Sequence, residues 1–125
     1  MKVLTDTHSL VWGLGDPSKL SVKAVKTLSN EQVIASVVNL WELILKKDKA
    51  SALLKEPVPW WEKYVVRTGV PVLGIRPAHL MMLDKLPGFH KDPFDRMLVA
   101  QAFVEKASLL SKDGALAAYK IDLIW

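Results

Sequence analysis

The chain has 125 residues, half of them hydrophobic, which suffices for one ordinary domain with a core and is too little for two. The absence of cysteine excludes disulfides, thiol catalysis and Cys-ligated zinc. The longest run without a charged residue, 32–41, is about half of the roughly 20 residues that a membrane-spanning helix needs. The net charge of +4 favours a mild attraction to polyanions.

The N-terminal sequence favours a cytoplasmic protein. Asp6 interrupts the apolar run that a signal peptide would need, and no small-residue cleavage site follows it. We therefore expect one domain, residues 1–125, in the cytoplasm and without a membrane partner.

Strands and helices are predicted to alternate along the chain. A strand at residues 2–5 precedes helices at 7–15 and 21–28 and a strand at 32–36. Helices at 39–49 and 59–67 lead to a third strand at 70–75, a helix at 77–86, a loop at 87–91 and a long helix at 93–106. The chain closes with strands at 108–111 and 121–125 around a short helix at 114–119. Alternation with continuously apolar strands predicts an α/β fold, a three-layer α/β/α domain with a mostly parallel central sheet.

Four carboxylates fall at the predicted carboxyl edge of this sheet. Asp6 ends the first strand, Glu42 lies in the opening turn of the helix after the second strand, Asp95 opens the long helix, and Asp113 follows the fourth strand. Ligands of open parallel sheets bind at this edge, where the loops and helix N-termini meet.

Each acid also has a structural explanation. Asp92 to Asp95 reads as a helix start with proline at the first position, Asn39 and Glu42 fit a capping box, and Glu42 with Lys46 forms a favourable i,i+4 pair. Capping does not explain four converging charges, however, because two carboxylates about 4 Å apart repel by roughly 4 kcal/mol near a surface. Bound Mg²⁺ or Mn²⁺ would relieve that repulsion with oxygen ligands.

The histidines give weaker signals. His90, together with Asp92 and Asp95, could form a metal motif, but a substrate-facing or solvated loop histidine is the simpler interpretation. His8 and His79 fall within predicted helices and indicate no site. Phosphate-binding glycine loops and Ser-His-Asp arrangements are absent from the sequence.

A basic domain with an acidic metal site suits phosphodiester cleavage. In a two-metal site, one ion lowers the pKa of an attacking water and the other stabilises the departing 3′ oxygen. Asp95 or Asp113 is our candidate for orienting that water.

Four segments also resemble the PIN-domain toxins of bacterial VapBC toxin–antitoxin systems: LTDTH at 4–8, SVVNLWEL at 36–43, HKDPFDRMLVAQA at 90–102 and SKD at 111–113. The resemblance covers essentially the whole chain, and the segment 90–102 is its most specific part. It implies a PIN domain that acts as a Mg²⁺- or Mn²⁺-dependent endoribonuclease toxin, a cognate VapB-type antitoxin that inhibits it, and a homodimer. The antitoxin would cover apolar helix surface, for which Trp12, Trp41, Trp60 and Trp61 are candidates.

The acidic quartet of the family matches Asp6, Glu42, Asp95 and Asp113, of which Asp6 and Asp95 resemble its usual metal ligands. Ser111 stands where many relatives have Thr, and Asn39 replaces a common Ser. Candidate substrate contacts are Lys46, Arg96, His90 and Ser111, although a solvated helix face explains Lys46 equally well.

Two alternatives remain open on the sequence alone. A catalytically idle PIN-like module would bind RNA or a protein without cutting, and the intact quartet argues against it. A receiver-type phosphoryl-transfer domain would need a second acid beside Asp6 or an aspartate ending the third strand, and the sequence has neither.

Overall fold

The computed structural model describes residues 1–125 and contains a five-stranded parallel sheet. Its strands are β1 (Lys2–Thr5), β2 (Gln32–Ser36), β3 (Val72–Leu73), β4 (Ser108–Leu110) and β5 (Leu123–Ile124). They lie in the order β3-β2-β1-β4-β5, and every adjacent pair is parallel. The direction of winding reverses between β1 and β4, so a crevice opens beyond their carboxyl ends.

Helices connect these strands. They are α1 (Thr7–Gly15), α2 (Val22–Asn30), α3 (Val37–Lys46), α4 (Pro57–Trp61), α5 (Pro77–Lys85) and α6 (Pro93–Glu105). Helix α4 continues as a π-helical turn over Glu62–Val66, and 3₁₀ turns occur at Pro17–Lys19 and Gly114–Tyr119. No helix is long and apolar enough to cross a bilayer.

Apolar clusters on both faces of the sheet give the three-layer arrangement that was predicted. Leu4 of β1 and Leu109 of β4 pack with α6 in one cluster. Their neighbours Val3 and Leu110 point to the opposite face, as the two-residue period of a strand requires, and pack with Ala24 of α2. The α/β/α prediction is confirmed.

Helix α3 begins at Val37 instead of Asn39 and ends at Lys46 instead of Lys49. Ser36 is the N-cap residue, and the side chain of Asn39 accepts a hydrogen bond from the Ser36 backbone amide. The predicted capping box of Asn39 and Glu42 was therefore wrong: its partners are Ser36 and Asn39, and Glu42 lies one turn deeper in the helix.

The edge strands are shorter than predicted. Strand β3 covers Val72–Leu73 instead of 70–75, and β5 covers Leu123–Ile124 instead of 121–125. Each pairs on one side only, and Pro71 lacks the amide hydrogen that would extend the ladder.

The fourth helix starts at Pro57, two residues before its predicted start, because proline suits the first helical position.

Candidate active site

Asp6 and Asp113 lie side by side at the reversal point of the sheet, after β1 and β4. Each carboxylate uses one oxygen to cap the next helical turn: Asp6 Oδ1 accepts from the Ser9 amide at 2.9 Å, and Asp113 Oδ1 accepts from the Ala115 amide at 3.1 Å. Capping thus accounts for one oxygen of each residue. The second oxygen of Asp113, Oδ2, lies 2.8 Å from His90 Nε2.

Asp95 reaches the same place from the first turn of α6. The capping task at this helix belongs to Asp92, whose Oδ1 accepts from the Phe94 and Asp95 amides at 2.8 and 3.1 Å. Asp95 is therefore not the cap of its own helix. Its carboxylate lies on a cavity of about 330 Å³, whose walls are Asp6, His8, Trp12, Asp95, Lys112 and Asp113.

The carboxylates of the site interact strongly with one another. Burial, together with the negative charges of Asp92, Glu42 and Asp6, raises the pKa of Asp95 to about 7. Burial also raises the pKa of Asp6, although hydrogen bonds from Ser111 and Ser9 oppose it. At neutral pH this region holds more negative charge than its surroundings stabilise, so it favours a bound proton or cation.

Glu42 is buried beside this cavity, and both of its oxygens are bonded. The Thr7 hydroxyl donates to Oε1 at 2.6 Å, and the Lys46 ammonium lies 2.6 Å from Oε2. Glu42 lines a neighbouring cavity of about 280 Å³ that also has His8 on its wall. The structure thus brings Asp6, Asp95 and Asp113 into one cavity and places Glu42 next to it.

A buried network fixes the hydroxyl that holds Glu42. Asn39 donates from Nδ2 to Thr7 Oγ1 at 3.2 Å and to the Thr5 carbonyl at 3.3 Å. Because Thr7 Oγ1 already accepts from Asn39, its single proton points to Glu42. The sequence analysis did not predict this function of Thr7 and Asn39. The available signal was that Thr7 follows Asp6 directly and that Asn39 lies three residues before Glu42.

His90 lies between two of the acids. Its Nε2 is 2.8 Å from Asp113 Oδ2 and 3.5 Å from Asp95 Oδ2, and its Nδ1 accepts from the Asp92 amide at 3.1 Å. Since Nδ1 is an acceptor, we assign the proton to Nε2, which donates to Asp113. His90 therefore donates a hydrogen bond to Asp113 and lies beside Asp95. The possible ligand atoms of His90, Asp95 and Asp113 lie within 4.8 Å of one another, so Asp113 stands where the metal motif of His90, Asp92 and Asp95 was expected to have Asp92.

The other predicted substrate contacts are engaged within the chain. Lys46 bridges Glu42 and Asp92, at 2.6 and 3.4 Å. Arg96 donates to the Pro87 carbonyl at 2.7 Å and to the Tyr119 hydroxyl at 3.1 Å. Ser111 is buried, and its hydroxyl accepts from the Asp113 amide at 3.1 Å. Contact of these side chains with a substrate stays a prediction.

The donor set fits a hard divalent cation. Carboxylate oxygens from Asp6, Asp95 and Asp113 face one cavity, and no thiol is present. Mg²⁺ and Mn²⁺ prefer such oxygen ligands and keep part of their water shell, for which the open cavity leaves room.

The sequence from residue 3 to residue 121 matches the PIN domain family. The chain belongs to this family. The prediction of a PIN domain is thereby confirmed, and a VapC protein is among the relatives. Ribonuclease VapC22 of Mycobacterium tuberculosis is 27% identical over 120 residues, which cover 94% of this chain and 92% of the relative.

Solved structures of low sequence identity share the PIN fold. A DNA-bound VapBC complex from Salmonella typhimurium contains a chain with a TM-score of 0.72 and 16% identity, covering 98% of this PIN domain and 96% of that chain. VapC20 of M. tuberculosis, described as a toxin that cleaves the sarcin–ricin loop, has a TM-score of 0.62 and 14% identity, covering 98% and 99%. At these identities the likeness concerns the fold.

Proposed function

We propose that this PIN domain is a Mg²⁺- or Mn²⁺-dependent endoribonuclease and the toxin of a type II toxin–antitoxin system. The observation that carries the proposal is the meeting of Asp6, Asp95 and Asp113 in one cavity at the reversal point of the sheet. The names of two relatives support RNA as the substrate: one is a ribonuclease and the other a toxin that cleaves the sarcin–ricin loop.

The three aspartates would hold the metal. Divalent ions bound there supply a water of lowered pKa for attack on phosphorus and neutralise charge on the departing 3′ oxygen. Asp6 and Asp113 are each held in place by a capping bond through Oδ1, and Asp113 is also held by His90. Asp95 has no such bond, and its raised pKa makes it the candidate for orienting the attacking water.

Glu42 has a different part in this proposal. Thr7 and Lys46 hold its two carboxylate oxygens, and its negative charge helps to raise the pKa of Asp95. Lys46 balances that charge as long as no metal is bound. The Lys46 ammonium is also a candidate contact for a phosphate of the RNA.

The partner proposed for this toxin is a VapB-type antitoxin, and solved relatives include VapBC complexes from Rickettsia felis and Salmonella typhimurium. Helix α3 exposes Trp41, Ile44 and Leu45, an apolar surface suited to an antitoxin or a second copy of the chain. Trp61, another candidate for that surface, is buried in one apolar cluster with Leu10 and is therefore not part of the surface.

Expression in cells with and without the small gene next to this one tests the proposal. The chain alone should stop growth and produce new RNA ends at defined positions, and the neighbouring gene should suppress both effects. Asp6→Ala combined with Asp95→Ala should abolish the new ends and the growth arrest.

Asp84→Asn, which changes an exposed acid on α5, is the matched control and should behave as wild type. Growth arrest that survives in the Asp6→Ala, Asp95→Ala variant would contradict a nuclease and favour the idle RNA- or protein-binding module.

A further inference from the structure

The cavity that holds the three aspartates has a second wall of different chemistry. His8, Trp12 and Lys112 form that wall, and none of them contributes a carboxylate. An indole and an ammonium add nothing to the binding of a hard cation. This wall therefore has a use other than holding metal.

The aromatic part of the wall is in contact with a further aromatic ring. His8 and Trp12 lie one turn apart on α1, and their ring centroids are 5.2 Å apart. On its other side Trp12 lies 6.4 Å from Trp125, which packs against the apolar cluster of Val3 and Leu110. Because two neighbouring rings restrict Trp12, its side chain loses little conformational entropy when a ligand binds to it.

Core packing does not account for this position of Trp12. The indole belongs to none of the three apolar clusters of the fold, and it is only half-buried. Its neighbours on the wall, His8 and Lys112, are exposed. An aromatic surface next to a cation thus lines the carboxylate cavity.

We infer that His8 and Trp12 form a stacking subsite for an unpaired nucleobase of single-stranded RNA, beside the aspartates at which the phosphodiester bond would be hydrolysed. The inference rests on the proposed function and names a determinant of its substrate. Splayed bases of single-stranded RNA stack on aromatic side chains, and a neighbouring lysine neutralises the adjoining phosphate. Lys112, next in sequence to Asp113, is placed for that contact.

With this subsite, the protein should prefer single-stranded RNA to duplex RNA, and the stacking contact should not distinguish one base from another. A base must leave its helical stack to lie on Trp12, so a duplex of the same sequence should be a poor substrate. Every base offers a π-face, so the stacking contact should tolerate any of the four.

A double perturbation of protein and RNA tests the subsite. The substrate is a short single-stranded RNA that contains a mapped cleavage site, compared with versions that carry one abasic residue next to the cleaved bond. Trp12→Ala should lower kcat/KM about 10-fold, mainly through KM, because stacking on an aromatic is worth about that factor per base. One abasic position should lower wild-type kcat/KM equally and should cause no further loss in Trp12→Ala.

Two other variants keep the test independent of folding. Trp12→Phe retains a ring and should recover most of the loss, and His8→Ala changes an exposed residue and should give a smaller loss of about 3-fold. The matched control is Trp60→Ala. The Trp60 indole lies on α4 and packs against Tyr64 of the following π-helical turn, so this variant should leave kcat/KM unchanged.

The outcomes separate the subsite from the proposed function. If the wild type does not cut RNA, the proposed function fails. If it cuts RNA but the losses from Trp12→Ala and the abasic residue multiply, the subsite is wrong. Wild-type kcat/KM in both Trp12→Ala and His8→Ala would also overturn the subsite and leave these rings as a contact for a protein partner.

Discussion

Two histidine–carboxylate pairs in this protein have the same local geometry and different surroundings. His79 accepts from the Arg76 amide through Nδ1 at 3.0 Å, and its Nε2 lies 2.8 Å from Glu105. His90 accepts from the Asp92 amide through Nδ1 and directs Nε2 to Asp113, also at 2.8 Å. In both pairs a backbone amide sets the tautomer and turns the ring toward its acid.

The charge around each pair decides what the pair does. Glu105 also binds the guanidinium of Arg76, and the hydrogen bond from His79 holds the pKa of Glu105 below its usual range. Asp113 instead shares a cavity with Asp6 and Asp95, and the pKa of Asp95 is raised to about 7. The first pair is a balanced link between α5 and α6. The second belongs to an excess of negative charge, which is the signature of a functional site.

Of the variants proposed, Asp95→Asn should have the largest effect, because it changes the charge around the pair of His90 and Asp113. The amide keeps the shape of the side chain and removes the charge, so RNA cleavage should fall on the order of 100-fold or more. Initial rates on a single-stranded RNA in saturating Mg²⁺ measure the loss. Full activity of Asp95→Asn would contradict the assignment of the site.

The pH dependence of stability should reveal the raised pKa of Asp95. Its folded-state pKa of about 7 exceeds the ordinary aspartate value of 3.8, so its stabilising contribution is complete below pH 3.8 and is lost as pH rises through about 7. Metal-free protein should lose on the order of 2 kcal/mol between pH 4 and 8, less than the full shift because the side chain is partly exposed. Urea unfolding in EDTA measures this loss.

Two comparisons sharpen that measurement. Asp95→Asn should flatten the pH profile, and added Mg²⁺ should stabilise wild type more at pH 8 than at pH 5, because the ion binds the ionised carboxylates. A wild-type profile that rises from pH 4 to 8 in EDTA would contradict the charge excess.

Thr7→Val should separate the positioning of Glu42 from its charge. The variant keeps the side-chain volume, removes the hydroxyl that binds Glu42 Oε1 and leaves Asn39 without one acceptor. We expect kcat about 10-fold lower and stability about 1–2 kcal/mol lower. Thr7→Ser retains the hydroxyl and should restore both values; equal kcat in Thr7→Val and Thr7→Ser would exclude the positioning role.

Glu105→Gln should have the smallest effect and no effect on catalysis. It removes the charge that Arg76 and His79 bind, at a cost of about 1 kcal/mol in the free energy of unfolding at pH 7. The lowered pKa of Glu105 means that its contribution is present above about 4.5 and is lost as pH falls below that value. The difference between wild type and Glu105→Gln should therefore vanish at low pH, while cleavage near neutrality stays unchanged.

Much of the fold could be predicted because its signals are local. The strand–helix alternation, the end of α6 and the acids after β1 and β4 follow from apolar periodicity and turn residues near each position. The predicted ends of the elements were less accurate where two residues could both cap a helix. At α3 the N-cap residue is Ser36, whereas Asn39 was expected to be the cap.

The amino-acid sequence by itself determined which acids the protein has at the carboxyl edge of its sheet, because strand order along the chain and the period of the helices place them there. Only the tertiary structure decided how they are charged and held. His90 meets Asp113 and Lys46 meets Asp92 across 23 and 46 residues, and Trp12 joins the carboxylate cavity from α1. Such contacts depend on how distant segments pack and on burial that shifts each pKa, and no local pattern in the sequence encodes either.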